Sequence, residues 1–396
     1  MIEIRQNAKP CECLDLVEIA HKERIYPVMF CQMNIKGHLN KEKMKEAILK
    51  STQYIPELLY SIDFHKCLFV DKQHTVEQVI NNGDMKNWDL SIDPQIKISI
   101  ISHFDHDQVI IGMSHILCDG NGFIQYLYLL SKLYNGKEKE KKHNVRNIKQ
   151  ALQKIPKIKS YKKEKIDFIS LCHDYGGHHQ YCLFKTVGKD EFTKIHLKAK
   201  ALNVTLNDVF MSCYAKVVLN YLNISSINIP SPVNLRQYNK IETLTIGNMT
   251  GMCQAITFNN DPLDQMLLYT HQQMQKQKSD FLCFKGIKTL SSLNQKIPAR
   301  LLVKIIQASF HLKPLSYSNM GRIDHNKLVF DDCTIESCFL TGTYRKSPDF
   351  QLNVSTFNDV CTFNCMLLGN EQRRKEGEYL LNKVVDELIW WGHSHY

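Results

Sequence analysis

The chain has 396 residues, 43% hydrophobic and 23% charged, with a formal net charge of +10. That balance excludes a disordered or fibrous chain, and the length predicts two domains with sizeable cores. No run of 18 apolar residues occurs, so no membrane helix is expected.

The opening Met1-Ile2-Glu3-Ile4-Arg5 lacks the layout of a secretory signal. Fourteen cysteines without a regular framework read as free thiols, and a cytoplasmic location is expected. Asn203, Asn223, Asn248 and Asn353 each open an Asn-x-Ser/Thr sequon, which an unsecreted chain leaves unmodified.

The first half reads as mixed α/β. Residues 28–35 form a strand candidate, and Asn40 is placed as the N-cap of a helix carrying Met44, Ala47 and Ile48, ending near Pro56. Ile96, Ile98 and Ile100 alternate with polar residues, as a half-buried strand does. Phe104 to Asp107 then predict a hairpin turn. His103, Asp105, His106 and Asp107 alternate faces without a fixed ligand spacing, so they read as a polar turn, and no metal site is expected.

The apolar run Val109 to Met113 predicts a strand buried on both faces. It leads into Ser114-His115-Ile116-Leu117-Cys118-Asp119-Gly120. Phe123, Tyr126, Leu127, Leu130, Leu133 and Tyr134 follow at helical spacing, predicting an amphipathic helix that begins near Gly122. Gly120 and Gly122 suit an abrupt turn with positive φ. His115 at such a strand end fits a general base whose backbone is fixed by Asp119. It fits equally a core histidine whose ring Asp119 satisfies.

A basic run from Lys137 to Lys165 lies in a segment, 137–178, that separates the halves. It reads as a solvated linker; a basic stretch also attracts phosphorylated cofactors or acidic partner proteins. No aromatic interleaving accompanies it, so nucleic acid is not an expected partner.

The second half opens with a strand at 180–185. Thr205 and Asp208 resemble a capping box before a helix with Leu206, Val209, Phe210, Cys213, Val217 and Tyr221 on one face. Residues 229–236 run as a strand ending at Arg236. Gly247 to Gly251 and Ser316 to Gly321 read as polar, glycine-bearing turns, and Asp261-Pro262 as a helix start with proline at its first position. Strands at 351–357 and 360–368 are joined by the hairpin signal Asn358-Asp359, and Val384, Leu388 and Trp391 share one face of a last helix. Cys11 and Cys13 are too close for a zinc knuckle, and Cys361 and Cys365 fall on one strand rather than at a turn. No Gly-x-Ser-x-Gly elbow is present, which leaves Cys118 as the rival nucleophile. A buried place for its thiol is the expectation.

The order of these motifs resembles the chloramphenicol acetyltransferase-like superfamily, which includes condensation domains, BAHD acyltransferases and alcohol O-acetyltransferases. His115 to Gly120 match its His-x-x-x-Asp-Gly signature. The Thr205 helix start, the strand ending at Arg236, the Gly247-Asn248 turn, Ser318-Asn319-Met320-Gly321 and the closing hairpin and helix follow in the family's order. The resemblance implies an α/β fold of mixed sheets: two similar lobes, residues 1–178 and 179–396, in a V-shaped pseudo-dimer around a central tunnel. It implies an acyltransferase using acyl-CoA or an acyl carrier protein as donor substrate and a small alcohol or amine as acceptor. No cofactor is called for, and a monomer is expected.

Carried onto this sequence, the resemblance makes His115 the base, Asp119 an orienting carboxylate and Gly120 part of its turn. Arg236 is the preferred partner of Asp119, with Arg24 and Arg345 as alternatives. Ser318 and Asn319 become oxyanion candidates. Ser114 stands where condensation domains carry a first histidine, which favours O-acylation. The BAHD signature Asp-Phe-Gly-Trp-Gly is absent. The alternative from another class is a catalytically silent scaffold that binds a carrier protein or ligand.

Overall fold

The computed structural model describes residues 7–81, 85, 87–138, 143–153, 155–156, 158, 169–171, 176–239 and 243–394. Much of the basic run, including Lys139, Lys141, Lys142, Lys154, Lys157, Lys159, Lys162, Lys163 and Lys165, lies outside them.

The first sheet is five-stranded. Its order is Thr334–Leu340, Val28–Lys36, His106–Ser114, Ile96–Ser102 and Ile80–Asn81. All neighbours are antiparallel except the last pair. The strand that leads into the motif, His106–Ser114, is therefore central and flanked on both sides. Its Val109, Ile111 and Met113 are buried on one face, while Ile110 on the other is half-buried, so the burial on both faces that the apolar run predicts is only partial. The helix Gly120–Tyr134 follows and buries Phe123, Tyr126, Leu127, Leu130 and Leu133.

The second sheet is six-stranded and mixed. Leu315–Ile323 runs parallel to Phe350–Phe357, which pairs antiparallel with Val360–Gly369. His179–Val187 and the short Tyr344–Lys346 also pair with Val360–Gly369, and Ile25–Tyr26 pairs with Tyr344–Lys346. A two-stranded ribbon, Ser226–Asn234 with Thr250–Phe258, carries the approach to Arg236. The two halves thus exchange strands: Thr334–Leu340 closes the first sheet, and Ile25–Tyr26 joins the second.

Local chemistry sets many boundaries. Asn40 caps Lys41–Ser51 by accepting from the Glu42 and Lys43 N–H groups, both at 3.0 Å. That helix stops at Ser51, short of Pro56, which instead opens the 3-10 turn Pro56–Leu59. Thr205 and Asp208 form a reciprocal capping box at the start of Leu206–Leu222. Asn358 and Asp359 turn with φ of 48° and 61°, the left-handed pair that a two-residue hairpin needs.

Three expectations are corrected. Gly120 and Gly122 do not take positive φ; the helix starts at Gly120, with Asp119 as its N-cap. The demand at Gly122 is space, since a Cβ there would lie 2.9 Å from both the Cys118 Cβ and the Gly247 carbonyl oxygen. Pro262 occupies the N-cap of Leu263–Ser279 and not its first helical position. Residues 316–321 are not a turn: they lie within Leu315–Ile323, where a bulge between Asn319 and Gly321 absorbs the polar, glycine-bearing sequence.

Two hydrophobic cores result. One packs the first sheet against Gly120–Tyr134 and includes Ile323, Phe330 and Leu340 from late in the chain. The other packs the second sheet against Leu206–Leu222 and Glu371–His393, with Tyr214, Phe363, Val385 and Trp391 inside. Among the described residues no helix is long and apolar enough to cross a membrane.

Candidate active site

His115 sits in the turn between His106–Ser114 and Gly120–Tyr134. Its N–H donates to the Pro27 carbonyl at 2.8 Å, which ties the turn to the start of the neighbouring strand. The three carbonyls after it are also held. Asn248 Nδ2 donates to the His115 and Ile116 carbonyls, each at 3.0 Å, and Arg146 Nη2 donates to the Leu117 carbonyl at 3.1 Å. The backbone under the imidazole is therefore fixed by side chains far along the chain. The side chain itself is 22% exposed, yet its Nδ1 is buried and has no hydrogen-bond partner.

Asp119 does not reach the imidazole in this arrangement; it organises the turn. One oxygen accepts from the Gly122 N–H at 2.8 Å, capping the helix. The other accepts from Arg236 Nη1 at 3.0 Å, the Met249 N–H at 2.7 Å and Thr250 Oγ1 at 2.8 Å. Burial alone would push this carboxyl up; the Arg236 guanidinium and the N–H donors outweigh it and hold the group below the usual carboxylate range.

Arg236 directs its remaining donors to Thr245, Asn234 and the Gly247 carbonyl. Of the three arginines weighed as partner of Asp119, it is the one that makes the contact. Arg24 pairs with Asp349 at 2.5 Å, and Arg345 is buried beside Asp349 and Glu18.

The structure adds residues that the sequence reading left out. Arg146 belongs to the basic run taken for a solvated linker, but its side chain is only 9% exposed. It pairs with Asp15 at 2.8 Å and lies over the Phe69 ring at 4.7 Å. Asp15 also accepts from Asn248 Nδ2 at 2.9 Å and from the Glu12 N–H at 2.8 Å. Burial raises its carboxyl to about 6 against the pull of Arg146 and Asn248. Asp15, Arg146 and Asn248 thus form one network beneath His115. A signal existed for Asn248, which sits in the glycine-bearing Gly247–Gly251 motif; none marked Asp15 or Arg146.

The remaining candidates fall into place unevenly. Met320 Sδ lies 2.5 Å from where a Gly120 Cβ would stand, and Ser318 Oγ is 4.0 Å from that sulfur, so Ser318 is near the motif turn. Asn319 faces away into other duties: its Oδ1 accepts from the Gly321 N–H at 2.8 Å across the bulge, and its Nδ2 donates to Asn207 at 3.3 Å. Cys118 is fully buried, and burial pushes its thiol well up, away from the thiolate that a nucleophile requires. The Ser114 hydroxyl is buried without a partner.

No family model matches the sequence, and no curated protein matches it. Solved structures do match along nearly the whole chain. The TRI3 trichothecene 15-O-acetyltransferase from Fusarium sporotrichioides superposes with a TM-score of 0.68 at 11% identity, covering 97% of this chain and 96% of that one. Polyketide synthase associated protein 5 from Mycobacterium tuberculosis gives a TM-score of 0.67 at 11% identity, covering 96% and 97%. The condensation domain of the monacolin K polyketide synthase MokA gives 0.66 at 9% identity, covering 98% and 97%. The chain has the mixed α/β fold of condensation domains and acyltransferases.

Proposed function

We propose that the chain is an acyltransferase that moves an acyl group from a thioester, acyl-CoA or an acyl carrier protein, to a small alcohol or amine, with O-acylation favoured. The observation that carries this reading is the histidine turn: a partly accessible imidazole on a backbone held at four consecutive peptide groups. His115 takes the proton of the acceptor hydroxyl as its oxygen attacks the thioester carbonyl. The tetrahedral intermediate collapses with cleavage of the C–S bond, and the imidazolium returns the proton to the departing thiolate. A thioester is already a good electrophile, so positioning, a base and dipoles near the oxyanion supply the catalysis. Ser318 is the favoured side chain for that last role, because it lies beside the motif turn while Asn319 is engaged elsewhere. Transfer is direct, without an acyl-enzyme; the buried Cys118 thiol supports this. Thirteen described cysteines carry free thiols, which supports a cytoplasmic place for the chain.

The test is thiol release from acyl-CoAs of two to sixteen carbons with a mixed pool of alcohols and amines. Turnover with acceptor is expected, and His115→Ala should fold normally and lose roughly 10²–10⁴-fold in rate. A His115→Ala variant as fast as wild type overturns the base assignment. Intact-mass spectrometry after acyl-CoA alone should show unmodified protein; an adduct on Cys118 that acceptor removes overturns direct transfer.

A further inference from the structure

We infer that Glu18 is the positioning carboxylate for His115: it accepts the imidazole Nδ1–H and so leaves the lone pair on Nε2, facing the acceptor. The inference rests on the acyltransferase reading and names a residue of the same site.

The starting observation is an orphan. His115 Nδ1 is buried and has no hydrogen-bond partner. Buried polar atoms are almost always paired, so one left open beneath a catalytic candidate calls for an explanation. The nearest carboxylate oxygen, Glu18 Oε1, is 3.8 Å away, and both side chains are 22% exposed. That distance is about 1 Å too long for a hydrogen bond. Contacts of this kind are often long in unliganded sites and tighten when substrate enters.

The placement of Glu18 is built. It lies in the helix Asp15–Ala20, three residues beyond Asp15, so the two carboxylates share one face. Asp15 anchors that face to Asn248 and Arg146, the side chains that hold the carbonyls of His115, Ile116 and Leu117. One short helix therefore holds the backbone of the histidine turn through Asp15 and presents a carboxylate to its ring through Glu18. The negative charge of Glu18 also acts on the buried guanidinium of Arg345.

The chemistry follows from the inventory of the ring. A neutral imidazole carries one N–H, and whichever nitrogen donates leaves the other as the base. Because Nδ1 is sealed from solvent, the accessible part of the ring lies beyond it, and Nε2 is the nitrogen that an acceptor hydroxyl meets. Glu18 accepting from Nδ1 selects that tautomer. When Nε2 takes the acceptor's proton, the carboxylate faces the imidazolium and stabilises it. Nε2 then gives the same proton to the departing thiolate, and no proton passes to Glu18. Its role is orientation and charge, not proton transfer.

The experiment compares full-length wild type with Glu18→Gln, Glu18→Ala, His115→Ala and the His115→Ala/Glu18→Ala double variant. Nitrogen-15 spectra of histidine-labelled protein, with the His115 signals identified from His115→Ala, read the tautomer without any ligand. Wild type should show Nδ1–H; Glu18→Ala should move toward Nε2–H. Thiol release from the most rapidly turned-over acyl-CoA of the panel should show kcat down roughly 10–10²-fold in Glu18→Ala and Glu18→Gln, with KM within about twofold. The double variant should be no slower than His115→Ala. A tautomer unchanged by Glu18→Ala, a wild-type kcat, or losses that multiply with His115→Ala overturns the assignment. Glu18→Gln keeps size and shape, so a folding defect confined to Glu18→Ala does not remove the test. A wild type without turnover sinks the acyltransferase reading, and the tautomer measurement alone then decides the role of Glu18.

Discussion

At the scale of single residues, the motif divides its labour between a ring that is left partly open and a carboxylate that is fully spent. Asp119 accepts four hydrogen bonds, and Arg236 donates one of them while five more of its own contacts reach the Asn234, Thr245 and Gly247 groups around it. Neither group has capacity left for chemistry. Removing one leaves the other buried and uncompensated, which costs roughly 3–5 kcal/mol. Asp119→Asn and Arg236→Ala should each lower the unfolding free energy by that order, measured by denaturant unfolding. Combining them should add little, because the second change removes a charge that the first has already stranded. Fully additive losses in the double variant would show that the two residues act independently.

At the scale of elements, the histidine turn is an assembly point. Its strand is central in the first sheet, its helix is capped by Asp119, and its backbone is gripped by Asn248 and Arg146, both tied to Asp15. Asp15 makes this grip sensitive to pH. Its carboxyl is raised from 3.8 to about 6 by burial. Between about pH 4 and pH 6 the folded chain therefore binds that proton more tightly than the unfolded chain does. The stability contributed by Asp15 is greatest at the acid end of the window and falls as pH rises through it. In denaturant unfolding at pH 4 and pH 6.5, wild type should lose roughly 2 kcal/mol that Asp15→Asn does not lose. Parallel pH curves for the two proteins would place the Asp15 carboxyl at its ordinary value.

These elements also show what a linear reading reaches. The Asn40 cap, the Thr205–Asp208 box and the Asn358-Asp359 hairpin were legible because each is decided within three residues of chain. The alternation of Ile96, Ile98 and Ile100 and the apolar run before Ser114 were legible because periodicity reports which faces are covered. His115, Asp119 and Arg236 came from motif order. Arg146 was hidden by its neighbours: it reads as one more cation in a basic run, and its burial depends on Asp15, 131 residues away. Glu18 was hidden for the same reason, being one acid on a short helix whose neighbour in space is a histidine 97 positions on. The strand at Leu315–Ile323 was missed because a bulge lets glycine and polar residues stand where strand propensity alone places a turn.

At the scale of the whole molecule, the exchange of strands decides how the two cores respond to stress. Thr334–Leu340 comes from the second half but supplies Cys338 and Leu340 to the first core and pairs with Val28–Lys36. Ile25–Tyr26 comes from the first half and pairs with Tyr344–Lys346 in the second sheet. Asp119 and Arg236 bind across the same divide, as do Asn248 and the carbonyls of the histidine turn. Unfolding either core therefore strips a strand from the sheet of the other and strands a buried ion pair, so neither core is expected to melt while its neighbour stands. Tryptophans report on the two separately: Trp88 packs against Phe30 in the first core, and Trp391 lies in the second with its indole N–H on Asp264 at 2.8 Å. One variant carrying Trp390→Phe and Trp391→Phe leaves Trp88 as the sole reporter; another carrying Trp88→Phe and Trp390→Phe leaves Trp391. Each variant followed by its own tryptophan and by far-ultraviolet circular dichroism should give one transition with coincident midpoints. A Trp391 signal that persists after the dichroism of the first sheet has gone, or the reverse, would mean that the exchanged strands contribute little and that the two cores are stable on their own.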